Sequence, residues 1–298
     1  MTQTADAAPA PVGAPPPEAH DVAAPTSGRA LRRPVARTVV RALVRALVGA
    51  RYGVVVTVAV VGLWWLVCAL RLRSAYVLPS PGRVWSSAVA MTASGELAEH
   101  VLASVGRVLA GFAIAFTVAS AVGVLALLRP RMYAYLSPAL NFLRNVPPLA
   151  LIPLLILWFG IGETPKLVVI VLTAFVPMSM SITKGLRSCG QELLDVGTSL
   201  HFSRGRTFAL IELPHALPDV LVGMRISLGY AWRALVGAEM FAAASGLGYL
   251  IVDAGHMSRA DRVIVGVVAI GLVGVAADRL FALVVRRTLR WGIDDSWR

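Results

Sequence analysis

The side chains that could carry out chemistry in this chain are few and scattered. The sequence holds five histidines and two cysteines in 298 residues. The histidines form no cluster with the cysteines, and no paired carboxylates or nucleophile–base arrangement stands out, which argues against an enzyme site and against a metal site. The cysteines, Cys68 and Cys189, fall on opposite sides of the topology derived below, so we predict no disulfide between them.

A nucleotide-binding motif is also missing from the sequence. The phosphate-binding loop Gly-x-x-x-x-Gly-Lys-Ser/Thr requires a lysine, and the only lysines, Lys166 and Lys184, lie in no such segment. We therefore expect that the chain does not bind ATP through this motif and that it binds no cofactor and no metal of its own.

The elements that would position these residues are apolar. The chain is 57% hydrophobic, and six stretches approach the roughly 20 apolar residues needed to cross a bilayer. Because the stretches are continuous and do not alternate, they predict helices rather than barrel strands. The fold class is therefore an all-α membrane protein, with spans at 54–70, 101–128, 136–160, 167–182, 220–243 and 263–285.

Charged side chains inside these spans are costly in lipid and should face protein or water. They are Arg107, Arg144, Arg225, Arg233, Glu239, Asp278 and Arg279. In the third span, Arg144 and Asn145 precede two prolines that must break or kink the helix, so that freed carbonyls there could line a pathway.

We consider Arg144, Asn145, Pro147 and Glu239 as candidate pathway residues. The alternative is helix–helix packing with satisfied polar pairs, in which Glu239 pairs with Arg107 or Arg233. For Asp278 and Arg279, pairing or snorkelling is the simpler interpretation. The glycines in and beside the spans indicate close helix packing rather than phosphate binding.

The longest polar interruption is the stretch from Gln191 to Pro218. Leu193, Leu194, Leu200, Phe208 and Ile211 are spaced as in a pair of surface helices, with a polar break at 201–205. A chain that only crosses membranes does not need a folded element here, whereas a chain that is gripped by a partner does.

The N-terminal region contains no apolar span. Residues 1–28 are rich in Ala and Pro, so we expect a disordered tail that is not a signal peptide. Residues 29–52 form a basic arm, with Arg37, Arg41 and Arg45 on one helical face. This arm is either an amphipathic helix on an anionic leaflet or a basic anchor that orients the first span, and the two roles are compatible. The membrane domain then covers residues 53–298.

The net charge of +12 comes from residues at the ends of the apolar stretches. That distribution is typical of topology signals rather than of a nucleic-acid groove, so we expect no nucleic-acid partner. Most of the basic residues lie inside if both termini and residues 191–218 are cytoplasmic.

The Gln191–Pro218 stretch resembles the coupling loop of ATP-binding-cassette (ABC) importer permeases, whose pattern is Glu-Ala-Ala, three residues, Gly, nine residues, Ile, one residue, Leu-Pro. Ile211, Leu213 and Pro214 match in type and spacing. The triplet then falls on Asp195, Val196 and Gly197, and the glycine falls on His201. Since His tolerates a positive φ less well than Gly, either His201 occupies a modified turn or Gly205 takes part of that role.

Other segments resemble the permease subfamily that includes nitrate, sulfonate and taurine importers. They are LPSPGRVW (78–85), RNVPPLALIPLLILWFGIGETPK (144–166), GMRISLGYAW (223–232), AEM (238–240) and GLGYL (246–250). The resemblance covers about 78 to 291 and excludes the N-terminal arm.

The resemblance implies six transmembrane helices in the type I ABC importer permease fold, with a coupling loop at 187–218. It implies an ABC ATPase partner that holds ATP and Mg, a second permease subunit, identical or not, and an extracytoplasmic solute-binding protein, all at a bacterial cytoplasmic membrane. The implied substrate is a small, often anionic nutrient. The coupling residues it implies are Glu192, Asp195, Val196, Gly197, Leu200, His201, Gly205, Ile211, Leu213 and Pro214.

Two other classes stay open at this point. An ion-coupled secondary transporter would need intramembrane carboxylates, and only Glu239 and Asp278 qualify. A membrane enzyme would need a catalytic cluster, which the scattered histidines do not provide.

Overall fold

The computed structural model describes residues 55–70, 74 and 76–288. The predictions for residues 1–28 and 29–52 lie outside the described residues. The chain divides into two units, Met1–Val60 and Val61–Arg298. Of the first unit only residues 55–60 are described, and they are helical; the contacts reported below lie in the second unit.

The described residues form helices and contain no strand. Helix α1 covers Val55–Ala69, α2 covers Pro81–Ala93, and α3 covers Glu96–Leu128. The side chain of Ser80 caps α2 by accepting a hydrogen bond from the Arg83 N–H, and Pro81 stands at the first helical position. The motif at residues 78–85 therefore contains the start of a helix.

The third predicted span is broken where its prolines fall. Helix α4 (Pro130–Asn145) is followed by a 3₁₀ turn (Pro148–Leu151) and by α5 (Ile152–Phe159). The two halves are bent by 86°. Pro147 and Pro148 cannot donate backbone hydrogen bonds, and Val146 before them is extended, as a residue preceding proline prefers.

The core is built around α6 (Glu163–Arg187), which packs between α3 and α9 (Leu213–Ala242). Glycines permit the close approach. A Cβ added at Gly111 would meet Ile170, one at Gly123 would meet Ile182, and one at Gly223 would meet Ser181. The packing interpretation of the glycines in these spans is therefore confirmed at these positions.

The polar stretch forms α7 (Gln191–Ser199) and α8 (Arg204–Thr207), then a π-helical segment (Phe208–Glu212) that continues into α9. A helix α10 (Leu247–His256) lies before α11 (Ala260–Thr288). Two separate short helices were expected in this stretch. Helix α7 is one of them, but α8 is not separate, because it is the first part of the span that continues into α9.

Helices cover most of the described part of each of the six predicted apolar stretches, but not all of them are full spans. Four helices are long and apolar enough to cross a membrane: Glu96–Leu128, Glu163–Arg187, Arg204–Phe241 and Ala260–Arg287. The bent pair Pro130–Asn145 and Pro148–Phe159 brings the number to five if it is one span, and Val55–Ala69 is shorter. The predicted number of six is thus not reproduced within the described residues.

Candidate coupling segment and intramembrane polar network

The turn after α7 is a Schellman motif, which satisfies carbonyls at a helix C-terminus. The Phe202 N–H donates to the Gly197 carbonyl at 2.9 Å, and the His201 N–H donates to the Thr198 carbonyl at 3.0 Å. This pattern places a left-handed residue between the two helices. That residue is His201, with φ of 52°.

The structure therefore assigns the left-handed turn to His201 rather than to Gly205, which lies within α8. Histidine is among the few non-glycine residues enriched in this conformation. A side chain in this conformation carries some backbone strain.

Helix α7 packs across the π-helical segment at one close contact. Gly197 is buried, and a Cβ there would stand 3.0 Å from the Ile211 Cδ1 and 3.3 Å from the Thr207 side chain. Two positions of the predicted coupling pattern, Gly197 and Ile211, are thus in direct contact. Leu213 and Pro214 begin α9 immediately afterwards, so this contact joins α7 to a membrane span.

The outer face of α7 is apolar and exposed. Leu193, Val196 and Leu200 are 43%, 51% and 57% exposed, and their spacing places them on one helical face. Glu192 and Asp195 are exposed beside them, and the Asp195 carboxylate accepts a hydrogen bond from Gln191 at 3.1 Å. This ridge, Leu193–Val196–Leu200, has the composition of a docking surface.

A second group of predicted residues lies in a polar network inside the helix bundle. Glu239 on α9 is 1% exposed. Its carboxylate accepts from the Ser104 hydroxyl at 2.9 Å, from Arg107 Nη1 at 2.7 Å and from the Gly248 N–H at 3.0 Å. The pairing of Glu239 with Arg107 is therefore found, and the alternative pairing with Arg233 is not.

Arg107 extends the network to α6 and to the segment before α10. It binds both carboxylate oxygens of Glu163, at 2.6 and 2.9 Å, and both the carbonyl and the hydroxyl of Ser245. Lys166, itself buried, binds Glu163 at 2.6 Å. Gly246, with φ of 114°, lies against Glu239 so closely that any Cβ would collide with its carboxylate.

Sequence reasoning had missed Ser104, Glu163, Lys166 and Ser245 as members of this network. The available signal was the spacing of Ser104 and Arg107, three residues apart on one helical face. Glu239 has satisfied polar partners, as the helix–helix packing alternative predicts. Its assignment to a transport pathway stays a prediction.

The other candidate pathway residues lie at the break of the third span. Arg144, Asn145 and Pro147 are exposed, and the Asn145 amide donates to the Asn141 carbonyl at 2.8 Å. The structure does not bring them into the network around Glu239, and their role in a pathway also stays a prediction.

The remaining charged residues of the spans divide into paired and unpaired side chains. Arg225 binds both carboxylate oxygens of Asp278 at 2.7 Å, which confirms pairing for Asp278. Arg233 donates to the Gly229 carbonyl at 3.0 Å and lies over the ring of Tyr230, 4.8 Å from its centroid. Within the described part of the chain, Arg233 has no carboxylate partner.

Among residues 55–70, 74 and 76–288, no group of three or more His, Cys, Asp or Glu side chains could hold a metal ion. Cys68 and Cys189 are both free thiols.

Comparison with known proteins gives a family match. The family model described as "Binding-protein-dependent transport system inner membrane component" matches residues 111–290. This range contains α6, α7, α8, α9 and α11.

Two curated relatives are similar over most of the chain. A putative aliphatic sulfonates transport permease protein of Bacillus subtilis is 36% identical over 239 residues, which are 80% of this chain and 87% of the relative. The taurine transport system permease protein of Escherichia coli is 35% identical over 234 residues, which are 77% of this chain and 85% of the relative.

A solved structure shares the fold. The MetNI methionine ABC transporter in an inward-facing conformation matches with a TM-score of 0.51 and 20% identity, over 63% of this chain and 95% of the matched chain. The helix arrangement described above is thus that of a type I ABC importer permease.

Proposed function

Because this chain belongs to the binding-protein-dependent transport system inner membrane components, as the permease subunit of an ABC importer, we propose that it imports a small organic or inorganic anion of the sulfonate, taurine or nitrate class. The relatives named above transport aliphatic sulfonates and taurine. A solute-binding protein delivers the substrate. This chain is not itself an enzyme, so a separate ATPase subunit hydrolyses ATP with Mg.

The observation that carries the proposed coupling to a separate ATPase is the continuous path from α7 to α9. The exposed ridge Leu193–Val196–Leu200 provides the docking surface for the ATPase, and the contact between Gly197 and Ile211 passes its movement to the span. Because packed elements shift as units, closure of the ATPase subunits moves α7 and α9 together. Alternating access follows, in which ATP binding opens the pathway outward and hydrolysis resets it.

The working unit is a pair of such subunits, identical or not, in the bacterial cytoplasmic membrane, with both termini and α7 in the cytoplasm. Helix α4 supports the pairing, since none of its residues is buried within the described part of the single chain. A helix with so little cover inside its own chain has surface available to a neighbouring subunit and to lipid.

The secondary-transporter alternative is not favoured by the site. Its main candidate carboxylate, Glu239, is already held by Ser104, Arg107 and the Gly248 N–H. The family membership assigns energy coupling to a separate ATPase instead.

The testing experiment is purification of the tagged chain from its native membranes in mild detergent, with mass spectrometry of the proteins that accompany it. We expect an ATPase subunit in near-equal amount. The copurified binding protein is then tested for binding of taurine, ethanesulfonate and nitrate. A chain that arrives alone, under conditions that preserve other importers of this kind, would contradict the proposed assembly.

A charge reversal tests the coupling segment directly. Asp195→Arg is expected to abolish uptake without preventing membrane insertion, because the exposed carboxylate lies beside the docking ridge. The matched control is Asp195→Glu, which keeps the charge and should keep uptake. Normal uptake by Asp195→Arg would remove Asp195 from the coupling surface.

A further inference from the structure

We infer that Arg233, supported by Tyr230, binds the anionic group of the transported solute as it crosses the membrane. The inference rests on the proposed function, and it adds the residue within the permease that recognises the substrate's charge.

The contacts of Arg233 leave hydrogen-bonding capacity unused. Nε donates to the Gly229 carbonyl, while the two terminal nitrogens have no partner among the described residues. The guanidinium is held over the Tyr230 ring at 4.8 Å from its centroid, a stacking that fixes its orientation without neutralising its charge. Its planar terminal N–H groups match a sulfonate, carboxylate or nitrate.

The position of Arg233 makes contact with lipid unfavourable. It lies about 20 Å along the helix axis from Val220 and about 12 Å before Phe241, at 1.5 Å per residue. This places the side chain well inside the span Arg204–Phe241, where it is exposed on the single chain. An unpaired guanidinium at such depth is expensive in hydrocarbon, so this face is expected to meet water or protein.

The broken third span reaches the same face of α9. Leu149, in the 3₁₀ turn after the break, packs where a Cβ on Gly237 would stand, with 2.8 Å to its Cδ2. Gly237 is one helical turn from Arg233. Irregular backbone at membrane depth is tolerated where it is covered by protein or lines a water-filled cavity. The break and the unpaired cation thus both indicate a polar pathway at this side of α9.

Arg233 also borders a cavity of about 720 Å³ between α3, α9 and α11. Apolar side chains such as Leu228, Ile270 and Phe281 line most of it. Its other arginine, Arg225, is neutralised by Asp278, which leaves Arg233 as the net positive charge there among the described residues. The volume lies in the range of small-molecule sites, and the lining suits a short aliphatic body attached to the anionic group.

The test uses the complete importer, with its ATPase and binding protein, reconstituted in proteoliposomes. Uptake of labelled taurine, ethanesulfonate and nitrate is measured beside the ATP hydrolysis that the loaded binding protein stimulates. Because hydrogen bonds to a charged group are worth about 1.5–3 kcal/mol, we expect Arg233→Gln to lower uptake at least about tenfold. Arg233→Lys, which keeps the cation, should recover part of the uptake.

The matched control is Arg279→Gln, an exposed arginine on α11 that should transport normally. If wild type imports a probe and Arg233→Gln imports it equally well, the assignment of Arg233 is wrong while the proposed function stands. If wild type with its own binding protein imports none of the three probes, the proposed substrate class fails, and the anion site fails with it.

Two further outcomes also overturn the assignment. If Arg233→Gln loses thermal stability and stimulated ATP hydrolysis in proportion to uptake, and Arg233→Lys restores none of them, the role of Arg233 is structural. If the effect of Arg233→Gln is seen only in vesicles that contain phosphatidylglycerol and not in phosphatidylcholine alone, the ligand is an anionic lipid. Equal effects in both vesicles support the solute.

Discussion

At the scale of the residue, the network around Glu239 shows how charge is accommodated inside this bundle. A carboxylate that is 1% exposed accepts from a hydroxyl, a guanidinium and a backbone N–H. Arg107 in turn holds Glu163 on α6. Glu239 and Arg107 therefore each have an opposite charge and further hydrogen bonds, which is the condition under which such groups are tolerated.

Glu239→Gln tests this arrangement, since it removes the charge and keeps the volume. Because Arg107 keeps Glu163 as a partner, we expect the free energy of unfolding to fall by about 3 kcal/mol, the lower end of the range for broken buried pairs. The midpoint for thermal unfolding of the purified complex should fall as well. Glu99→Gln, at an exposed position of α3, is the control and should not shift the midpoint. An unchanged midpoint with lost uptake would instead favour a pathway role for Glu239.

At the scale of the element, residues 191–214, the candidate coupling segment, form a single unit that contains a helix, a left-handed turn and the first part of a span. His201 carries a conformation that glycine adopts at no steric cost. Gly197 permits the close contact between α7 and Ile211.

His201→Gly should stabilise the turn by about 1 kcal/mol, because it removes the strain of a side chain in the left-handed region. The readout is protection of the α7 amides in hydrogen–deuterium exchange of the complex, which should rise. Gly205→Ala is the control, because Gly205 lies in helical backbone with no neighbour within 4 Å of the added Cβ. It should show only the ordinary gain in helix stability that alanine gives over glycine. Lower protection in His201→Gly would mean that the imidazole itself holds the turn.

Gly197→Leu should separate α7 from the π-helical segment, because the added side chain meets Ile211 and Thr207 at 3.0–3.3 Å already at its Cβ. We expect uptake to fall by at least about tenfold, and copurification of the ATPase to weaken. Gly190→Leu introduces the same side chain just before α7, where there is open space, and should leave both intact. Equal losses in the two variants would show that the contact between Gly197 and Ile211 is not what transmits the movement.

At the scale of the whole molecule, the apolar helices position one coupling segment and leave large apolar surfaces for the bilayer and for partners. The predicted topology places Cys68 and Cys189 on opposite sides of the membrane. Cys189 lies between α6 and α7, outside the spans, and burial together with the Glu212 carboxylate raises the pKa of its thiol.

Labelling of Cys189 tests this topology in a Cys68→Ser background. A membrane-impermeant maleimide should label Cys189 in inverted vesicles and not in intact spheroplasts. Since only the thiolate reacts and the pKa is raised, the labelling rate should keep increasing with pH beyond the range of an ordinary cysteine. Labelling in intact spheroplasts would reverse the orientation and place α7 outside.

The sequence by itself determined the class and much of the organisation of this protein. Apolar length predicted helical membrane segments, the two prolines predicted the break in the third span, and the 191–218 pattern predicted a folded helical element between two spans. These features follow from local rules, because helix length, proline chemistry and hydrophobic spacing act within a few turns of the chain.

Tertiary structure alone decided which partners each polar residue has. Glu239 had two arginines available in the sequence, and the packing of α3 against α9 selected Arg107 and left Arg233 exposed. The contact of Gly197 with Ile211, and the entry of Glu163, Ser104 and Ser245 into the network, also depend on where distant helices meet. Such pairings arise from side chains far apart in the chain, and spacing along one helix shows that two residues share a face but not which distant side chain they meet.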